Sequence, residues 1–213
     1  MKEISRRAMI GGTAGAALLT VGGALALPAD AAGIGEPGIA SVNTWGAAAA
    51  RGSISIISGR PDKILIHHTD TPNTTNYSRS HAYALARSIQ QGHFNNGWSD
   101  SGQHFTVSRG GIIMAGRHGA LGAARNGRKL VIGAHCPGQN EQIGIENEGN
   151  YTNNNIRGDH YRKLVRLCAW LCQQYGINPS RLYGHRDFFA TACPGNRLYA
   201  KLPQLRRDVR ALL

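Results

Sequence analysis

The sequence predicts a single α/β domain in which helices flank a central mixed β-sheet. Two short apolar segments, 63–68 and 142–148, have the length expected of buried strands. Segments 77–92 and 159–175 instead repeat apolar residues at the spacing of one helix face. Because strands and helices alternate along a chain of 213 residues, we expect one sheet covered by helices around one sizeable core.

Residues 1–31 are predicted to be a twin-arginine-type signal peptide rather than part of the domain. Arg6 and Arg7 precede an apolar stretch rich in alanine and glycine, and Ala29-Asp30-Ala31 offers a cleavage site between small residues. The apolar stretch is shorter than the roughly 20 residues that a membrane-spanning helix needs. Cleaved export is therefore favoured over a permanent membrane anchor.

The domain itself is predicted to span residues 42–213, after a glycine- and proline-rich linker at residues 32–41. Trp45 is expected to pack near its start. The helix at 159–175 has the clearest pattern and should end at Gly176, since glycine readily adopts the left-handed conformation that closes helices. The predicted elements are, in order, a strand at 63–68, a helix at 77–92, a hairpin of strands 103–108 and 112–115, a basic loop at 116–129 that forms a groove wall, strands at 130–132 and 142–148, and helices at 159–175 and 197–213, the last interrupted at Pro203.

A histidine and a cysteine, His185 and Cys193, lie eight residues apart near the end of the domain. Neutral imidazole and thiolate are the protein ligands that zinc prefers. The strand at 63–68 ends in a histidine pair, His67 and His68, which could supply a third ligand. Three ligands and one open position are typical of a catalytic zinc site. Because side chains alternate along a strand, one histidine of the pair should face the metal and the other should not.

Six short segments of the domain, taken in order, carry a family resemblance. They are Thr44-Trp45-Gly46-Ala47, Ile66-His67-His68-Thr69, the stretch 97–105, Gly133-Ala134-His135, Ile143-Gly144-Ile145-Glu146 and the stretch 184–195. Each is weak alone, but the ordered set resembles the zinc-dependent N-acetylmuramoyl-L-alanine amidase family, which is similar in fold to phage T7-type lysozymes and peptidoglycan recognition proteins. The resemblance covers roughly residues 42–202, nearly all of the chain beyond the leader.

The resemblance implies that zinc lies in a groove on one side of the sheet and that His67, His185 and Cys193 bind it. His68 is then expected to pack beside the site or to support it. His135 is expected to be a groove residue near the metal that contacts the substrate or the transition state. A purely structural role is the alternative for His135.

A second Cys-Pro-Gly tripeptide, at residues 136–138, directly follows His135 and could suggest a rival pair of ligands. Adjacent residues in an extended chain point apart, however, and only the later His–Cys pair matches the metal loop of the family. Cys136 is therefore expected to be structural. Cys168 and Cys172 lie four residues apart on one predicted helix, but spacing alone does not establish a disulfide.

Two glutamates on the strand at 142–148, Glu146 and Glu148, share one face, and burying a carboxylate without a role is costly. Some members of the family place the catalytic base at the position of Glu146, so Glu146 is preferred; an ordinary solvent-facing or ion-paired glutamate is the alternative. Thr191 matches a position from which a side chain can donate a hydrogen bond to an oxyanion. Gln103 departs from the family, where many members carry tyrosine, and an amide cannot act as a base.

The resemblance implies a zinc-dependent hydrolase that cleaves the amide bond between N-acetylmuramic acid and L-alanine in bacterial peptidoglycan. Zinc would activate a water, Glu146 would take its proton, and zinc with Thr191 would stabilise the oxyanion. One alternative is a non-catalytic peptidoglycan-binding module of the same fold, which typically lacks the metal cysteine. Another is an exported zinc hydrolase of a different amide, because fold and metal do not fix the substrate.

The formal net charge of the chain is +12, and removing the three basic and two acidic residues of segment 1–31 leaves +11. A basic surface attracts polyanions. For an exported protein the anionic polymers of a cell wall are favoured as partners over nucleic acid, with general solubility as the alternative reason for the charge. The expected location is outside the cell or in the cell wall, reached by the twin-arginine route and without stable membrane insertion after cleavage.

Overall fold

The computed structural model describes residues 33–213, so the predicted signal peptide, residues 1–31, lies outside the described residues. The strands are β1 (Ile39–Ala40), β2 (Ile56–Ser58), β3 (Ile64–His68), β4 (Phe105–Val107), β5 (Ile113–Ala115), β6 (Lys129–Val131), β7 (Ile143–Asn147) and β8 (Leu182–Gly184). The helices are α1 (Val42–Trp45), α2 (Arg79–Asn95), α3 (Ala120–Asn126), α4 (Gly158–Tyr175), α5 (Asn196–Ala200) and α6 (Leu202–Arg210), with 3-10 turns at Pro179–Arg181 and His185–Asp187.

The central sheet has six strands in the order β1-β5-β4-β7-β3-β8. Strands β4 and β5 form the predicted antiparallel hairpin, whereas β7 is parallel to both β4 and β3, and β3 is parallel to β8. The predicted mixed sheet flanked by helices is therefore confirmed. A second, two-stranded sheet pairs β2 with β6 in antiparallel orientation.

The register of the three parallel strands β7, β3 and β8 determines where their ends lie. Ile66 in β3 pairs with Ile145 on one side and with Gly184 on the other. The carboxyl ends of parallel strands meet at one edge of a sheet, which is where ligands bind in open α/β sheets. One residue further along, His67 is directly opposite Glu146. The register thus brings the predicted ligand strand and the predicted base strand to the same edge.

Helix α4 supplies much of the core that supports this sheet. Its buried face carries Leu164, Cys168, Leu171 and Cys172, whose side chains belong to the same apolar cluster as the inner residues of β3, β4 and β7. The helix ends as predicted at Gly176, which has a φ of +72°. All four cysteines of the chain are free thiols. The amphipathic pattern read from the sequence therefore corresponds to a helix packed on the sheet.

The start of the domain differs from the prediction. The segment predicted as a linker contains β1, which pairs in parallel with β5, and Ser41, which caps α1. Trp45 is buried as expected, and its indole Nε1 donates a hydrogen bond of 2.7 Å to the carbonyl of Ala115. Two paired residues are too few to produce a readable periodicity, so this edge strand could be found only from its tertiary partner.

The stretch 116–129, predicted as a loop, contains helix α3, which packs against β6 and α4. Helix α3 has only seven residues, and most of its buried side chains are alanines, so its apolar face is weakly marked in the sequence. Strand β2 was also missed, because Ile56 and Ile57 are exposed and lie in a short serine-rich segment. The closing helix is interrupted as predicted, with Pro203 in the first turn of α6. Within residues 33–213, every helix is too short or too polar to span a bilayer.

Candidate active site

Three predicted metal ligands come together at the carboxyl edge of the sheet. His67 lies near the end of β3, His185 follows β8 directly, and Cys193 ends the loop that begins with His185. One ligand atom from each residue can be chosen so that all three lie within 4.8 Å of one another. The imidazole rings of His67 and His185 are 4.4 Å apart between centroids. The prediction that these residues share one site thus agrees with their positions.

The loop from His185 to Cys193 is closed by hydrogen bonds that Arg186 makes. Its backbone N–H donates to the carbonyl of Cys193 at 3.1 Å, and its guanidinium donates to the carbonyl of Ala192 and to Asn196 Oδ1. Guanidinium groups suit this task because they present several donors in a fixed plane. These hydrogen bonds fold the loop back on itself, so that His185 and Cys193 face the same point although they are eight residues apart in the sequence.

Burial favours the metal-binding protonation state of the two histidines, whereas it keeps Cys193 as a neutral thiol. Desolvation lowers the pKa of His67 well below its ordinary range, and it also lowers the pKa of His185, so both imidazoles are neutral near pH 7. Burial raises the pKa of the Cys193 thiol, while the backbone N–H of His68 lies 3.3 Å from its sulfur. A bound cation would deprotonate such a thiol outright.

The hydrogen bonding of His185 supports the same assignment. Its Nε2 is buried and has no hydrogen-bond partner in the part of the chain that is described. Buried polar atoms are otherwise almost always paired, so an unpaired one needs an explanation. A role as a metal ligand would explain why this imidazole nitrogen, beside a second imidazole and a thiol, has no hydrogen-bond partner. The donor set of two histidines and one cysteine fits zinc.

Neither rival ligand joins this cluster. His68 Nδ1 accepts a hydrogen bond of 3.3 Å from the backbone N–H of Tyr151, so the residue packs beside the site as expected. Cys136 is fully buried, and its sulfur lies 3.8 Å from the carbonyl of Pro137. The three residues that lie together, His67, His185 and Cys193, are therefore the ones that strand alternation and the family resemblance favoured over His68 and Cys136.

Glu146 lies next to the ligand cluster, opposite His67 across the sheet. Its Oε1 is 4.0 Å from His67 Nδ1, and its side chain is 18% exposed. Its Oε2 is buried and lacks a hydrogen-bond partner among the described residues. Burial raises the pKa of this carboxyl to about 8. A cation held by the neighbouring His–His–Cys cluster would lower this pKa and favour the carboxylate, which is the form that a general base needs.

Glu148, the other candidate, is occupied by structural contacts. One carboxylate oxygen lies 2.6 Å from His81 Nε2, and the other accepts a hydrogen bond of 2.7 Å from the backbone N–H of Arg109. The side chain is 2% exposed. These contacts tie β7 to α2 and to the β4–β5 turn. Glu148 therefore has no oxygen left for a reacting group.

Thr191 and Gln103 are the two remaining residues that the sequence singled out. Thr191 Oγ1 accepts a hydrogen bond of 3.2 Å from the backbone N–H of Cys193, which leaves its hydroxyl proton available to another acceptor. Gln103 is buried, and its amide nitrogen donates to Thr106 at 2.9 Å, whereas its Oε1 has no partner within residues 33–213. Thr191 is thus able to donate near the metal ligands, while Gln103 is turned into the protein.

His135, for which a groove position and a structural role were both considered, is buried beside His67. The residue is 8% exposed, and both of its ring nitrogens make contacts inside the protein, one to His67 Nε2 at 3.1 Å and one to the carbonyl of Gln142 at 2.9 Å. Burial lowers its pKa to about 3. His135 therefore packs against His67 inside the protein, which favours the structural alternative for this residue.

An open groove of about 430 Å³ meets the cluster at Glu146. The predicted wall at 116–129 contributes no lining residue within the described chain, because that segment folds into α3, which packs against β6 and α4. The end of α2 supplies the wall instead, and there His93 stacks on Trp98 with 4.6 Å between ring centroids. The lining residues are His68, Thr69, Thr71, Ile89, Gly92, His93, Asn95, Asn96 and Glu146.

The end of α2 is therefore the part of the site that sequence reasoning missed. His93 Nδ1 accepts a hydrogen bond of 3.0 Å from the backbone N–H of Gly102, and burial lowers its pKa to about 4, so the ring is neutral. The available signal was the group of polar residues His93, Asn95 and Asn96 just after the predicted helix. Asparagine amides and a neutral imidazole suit an uncharged polar ligand such as a sugar or an amide.

Known proteins align with this chain over most of its length and share its fold. A sequence profile described as N-acetylmuramoyl-L-alanine amidase matches residues 58–196. Peptidoglycan-recognition protein LB of Drosophila melanogaster is 29% identical over 173 residues, which cover 80% of this chain and 69% of that protein. The human N-acetylmuramoyl-L-alanine amidase is 30% identical over 173 residues, which cover 78% of this chain but 28% of the human protein. The solved structure of a Drosophila peptidoglycan-recognition protein LB variant in complex with tracheal cytotoxin aligns with a TM-score of 0.67 at 30% identity, over 77% of this chain and 92% of that one.

Proposed function

This chain belongs to the N-acetylmuramoyl-L-alanine amidase family, and from that membership we propose that it hydrolyses the amide bond between N-acetylmuramic acid and L-alanine in bacterial peptidoglycan. The titles of its relatives support this substrate class, since one is an N-acetylmuramoyl-L-alanine amidase and another is a peptidoglycan-recognition protein in complex with tracheal cytotoxin. The uncharged polar groove beside the ligand cluster suits a glycan and its amide bond.

One observation carries the proposal. Three ligand atoms within 4.8 Å of one another, from two histidines and a cysteine, lie beside a half-buried carboxyl that has an unpaired oxygen. The open groove leads to this point. Three protein ligands with a base at hand correspond to a hydrolytic zinc centre rather than a structural one, which takes four protein ligands.

His67, His185 and Cys193 would hold the zinc ion. Bound zinc would supply an activated water and polarise the scissile carbonyl. The backbone N–H of His68, 3.3 Å from Cys193 Sγ, would stabilise the thiolate charge. A metal-bound Cys193 is not free to act as a nucleophile, so the reaction needs no covalent enzyme intermediate.

Glu146 moves the proton in this proposal. Its carboxylate accepts the proton of the attacking water as the oxygen adds to the lactyl carbonyl of the muramic acid. Thr191 donates its hydroxyl hydrogen bond to the oxyanion that forms. The C–N bond then breaks, and Glu146 returns the proton to the amine of L-alanine, which leaves as a free amino terminus. Gln103 has no protonation role because an amide does not titrate.

A non-catalytic peptidoglycan-binding module is the second candidate. It is favoured by one observation, which is that the buried amide of Gln103 replaces the tyrosine that many family members carry. The complete trio of ligands and the unpaired Glu146 argue for turnover instead. The two candidates share the groove and differ only in whether the amide bond is cut.

The test is a digestion of purified peptidoglycan by zinc-loaded protein. We expect new amino termini of L-alanine to appear without new reducing sugar ends, and we expect a chelator to stop the release and added zinc to restore it. Binding to peptidoglycan without any release would establish the binding module. Zinc-dependent release from other amides alone would indicate a different exported hydrolase.

We further propose that residues 1–31 direct export by the twin-arginine route to the cell wall, and that the mature basic domain also binds anionic wall polymers. The arginine pair at positions 6 and 7 and the net charge of +11 beyond residue 31 support this. Replacement of both arginines by lysine should trap the protein inside the cell, and a protein that is still exported would contradict the route.

A further inference from the structure

His135 lies between His67 and the backbone just before β7. Its Nδ1 is 3.1 Å from His67 Nε2, and its Nε2 is 2.9 Å from the carbonyl oxygen of Gln142. His67 is 2% exposed and His135 is 8% exposed, so water does not compete for these contacts. The proposed mechanism does not use His135, yet both of its ring nitrogens are committed to defined partners.

The chemistry of the two contacts determines where the protons lie. A carbonyl oxygen only accepts hydrogen bonds, so His135 Nε2 must carry a hydrogen. A neutral imidazole carries one N–H, which makes His135 Nδ1 an acceptor. The hydrogen between the two rings must therefore belong to His67 Nε2. His67 Nδ1 is consequently left with a free lone pair.

Two glycines allow the His135 ring to occupy this place. A Cβ atom at Gly144 would lie 2.5 Å from Cγ of His135, and one at Gly133 would lie 2.8 Å from its Cδ2. Neither distance is compatible with a side chain, so the ring fits closely between the two backbones. Gly144 pairs with Leu65 of β3, two residues before His67. The ring of His135 is therefore fixed relative to the strand that carries the ligand.

We propose that His135 is a positioning residue that holds His67 as its Nε2–H tautomer, so that His67 Nδ1 is the atom that binds the metal. His67 Nδ1 is the nitrogen that lies 4.0 Å from Glu146 Oε1, on the catalytic side of the ring. Partners behind metal-bound histidines commonly fix the tautomer and raise the basicity of the ligand. The inference rests on the proposed zinc site and describes how the chain prepares it.

The first test measures the proton positions directly. Long-range ¹H–¹⁵N spectra of the unmodified protein, recorded with and without zinc, report which nitrogen of each histidine carries hydrogen. We expect His67 and His135 to be protonated at Nε2 in both states, and zinc to perturb Nδ1 of His67. A hydrogen on His67 Nδ1 would overturn the proposal, and the zinc-free spectrum gives this answer even if no zinc binds.

The second test compares zinc affinity in two variants, measured by competition with a chelator. His135→Leu removes the acceptor, and we expect the zinc dissociation constant to rise by about 10–100-fold. His135→Asn keeps an acceptor oxygen near the position of Nδ1, and we expect affinity closer to that of the wild type. An unchanged dissociation constant in folded His135→Leu protein would refute the positioning role.

His104 provides the matched control for this comparison. It is a neighbouring buried histidine, 5.5 Å from His135 between ring centroids, but both of its nitrogens bond to backbone groups. His104→Leu should destabilise the fold without weakening zinc binding in the molecules that remain folded. Equal losses of affinity in His104→Leu and His135→Leu would overturn the proposal and indicate general softening of the site. Absence of zinc binding in the wild type would instead refute the proposed function.

Discussion

The chain contains the tripeptide Cys-Pro-Gly twice, and the two copies have opposite environments. Cys193 lies beside His67 and His185, and the buried Nε2 of His185 has no partner in the described chain. Cys136 is fully buried, its backbone N–H donates to Asn140, and the neighbouring His135 uses both ring nitrogens in hydrogen bonds. The same local sequence thus contributes to the His–His–Cys cluster in one place and to a packed turn in the other.

The difference lies in which polar atoms the fold leaves unpaired. A buried atom that already has its hydrogen bonds gains little from a ligand, whereas an unpaired one is costly until something binds it. The two glutamates of the β7 region repeat the contrast. Both carboxylate oxygens of Glu148 are occupied, while Glu146 Oε2 lacks a partner among residues 33–213. The atoms left unpaired at this edge of the sheet are the ones that the proposed function uses.

The largest effect should come from exchanging sulfur for oxygen in the two tripeptides. Cys193→Ser removes a soft ligand, and we expect zinc affinity to fall by more than about 100-fold, with loss of zinc-dependent hydrolysis. Cys136→Ser should keep one zinc per chain, although burying a hydroxyl should lower the free energy of unfolding by about 1–3 kcal/mol. Zinc content and urea unfolding of both variants measure these outcomes.

The comparison fails if the two serine variants behave alike. Full zinc content in Cys193→Ser would remove this residue from the ligand set. Loss of zinc in Cys136→Ser, with the fold intact, would move the site towards the first tripeptide.

The second effect separates the two glutamates. Glu146→Gln should bind zinc normally but hydrolyse peptidoglycan about 10²–10⁴-fold more slowly, because it cannot accept a proton. Glu148→Gln should keep the turnover number of each folded molecule, but it should lose about 1–3 kcal/mol of stability as its charged hydrogen bonds weaken. The turnover number, zinc content and urea midpoint of both variants test this. Near-normal turnover in Glu146→Gln would reject it as the base.

The last prediction concerns acid stability and a fully paired histidine. His104 Nε2 donates to the carbonyl of Val131 at 2.7 Å, its Nδ1 accepts from the backbone of Gly144 at 3.0 Å, and burial lowers its pKa to about 4. The unfolded chain, with a histidine pKa of about 6.5, binds more protons between pH 6.5 and 4. The free energy of unfolding should therefore fall as the pH falls through this window, by about 3 kcal/mol from this group.

Urea unfolding of the wild type and of His104→Gln, at a series of pH values, isolates that contribution. The stability advantage of the wild type should shrink between pH 6.5 and 4 and should stay constant above pH 7. An advantage that does not depend on pH would show that His104 retains an ordinary pKa in the folded protein.

Much of the fold could be predicted from the sequence because its long elements are strongly patterned. Helix α4 and strands β3 and β7 bury enough apolar side chains at a regular period to be found without a structure. Strand β1, with two paired residues, and helix α3, with an alanine-rich face, have too little local signal. Their existence depends on contacts with β5, β6 and α4.

The sequence by itself determined the chemistry that is available: the His–His pair, the His–Cys loop, the glutamate strand and the basic charge are all readable without coordinates. Only the tertiary structure decided which of those groups are free to react. Parallel pairing of β7, β3 and β8 aligns His67 with Glu146 and brings His185 to the same edge of the sheet. Hydrogen bonds occupy the polar atoms of His135 and Glu148. His185 and Glu146 each keep a buried polar atom without a partner among residues 33–213. The physical reason is that residue type fixes the donors and acceptors, whereas their pairing depends on neighbours distant in sequence.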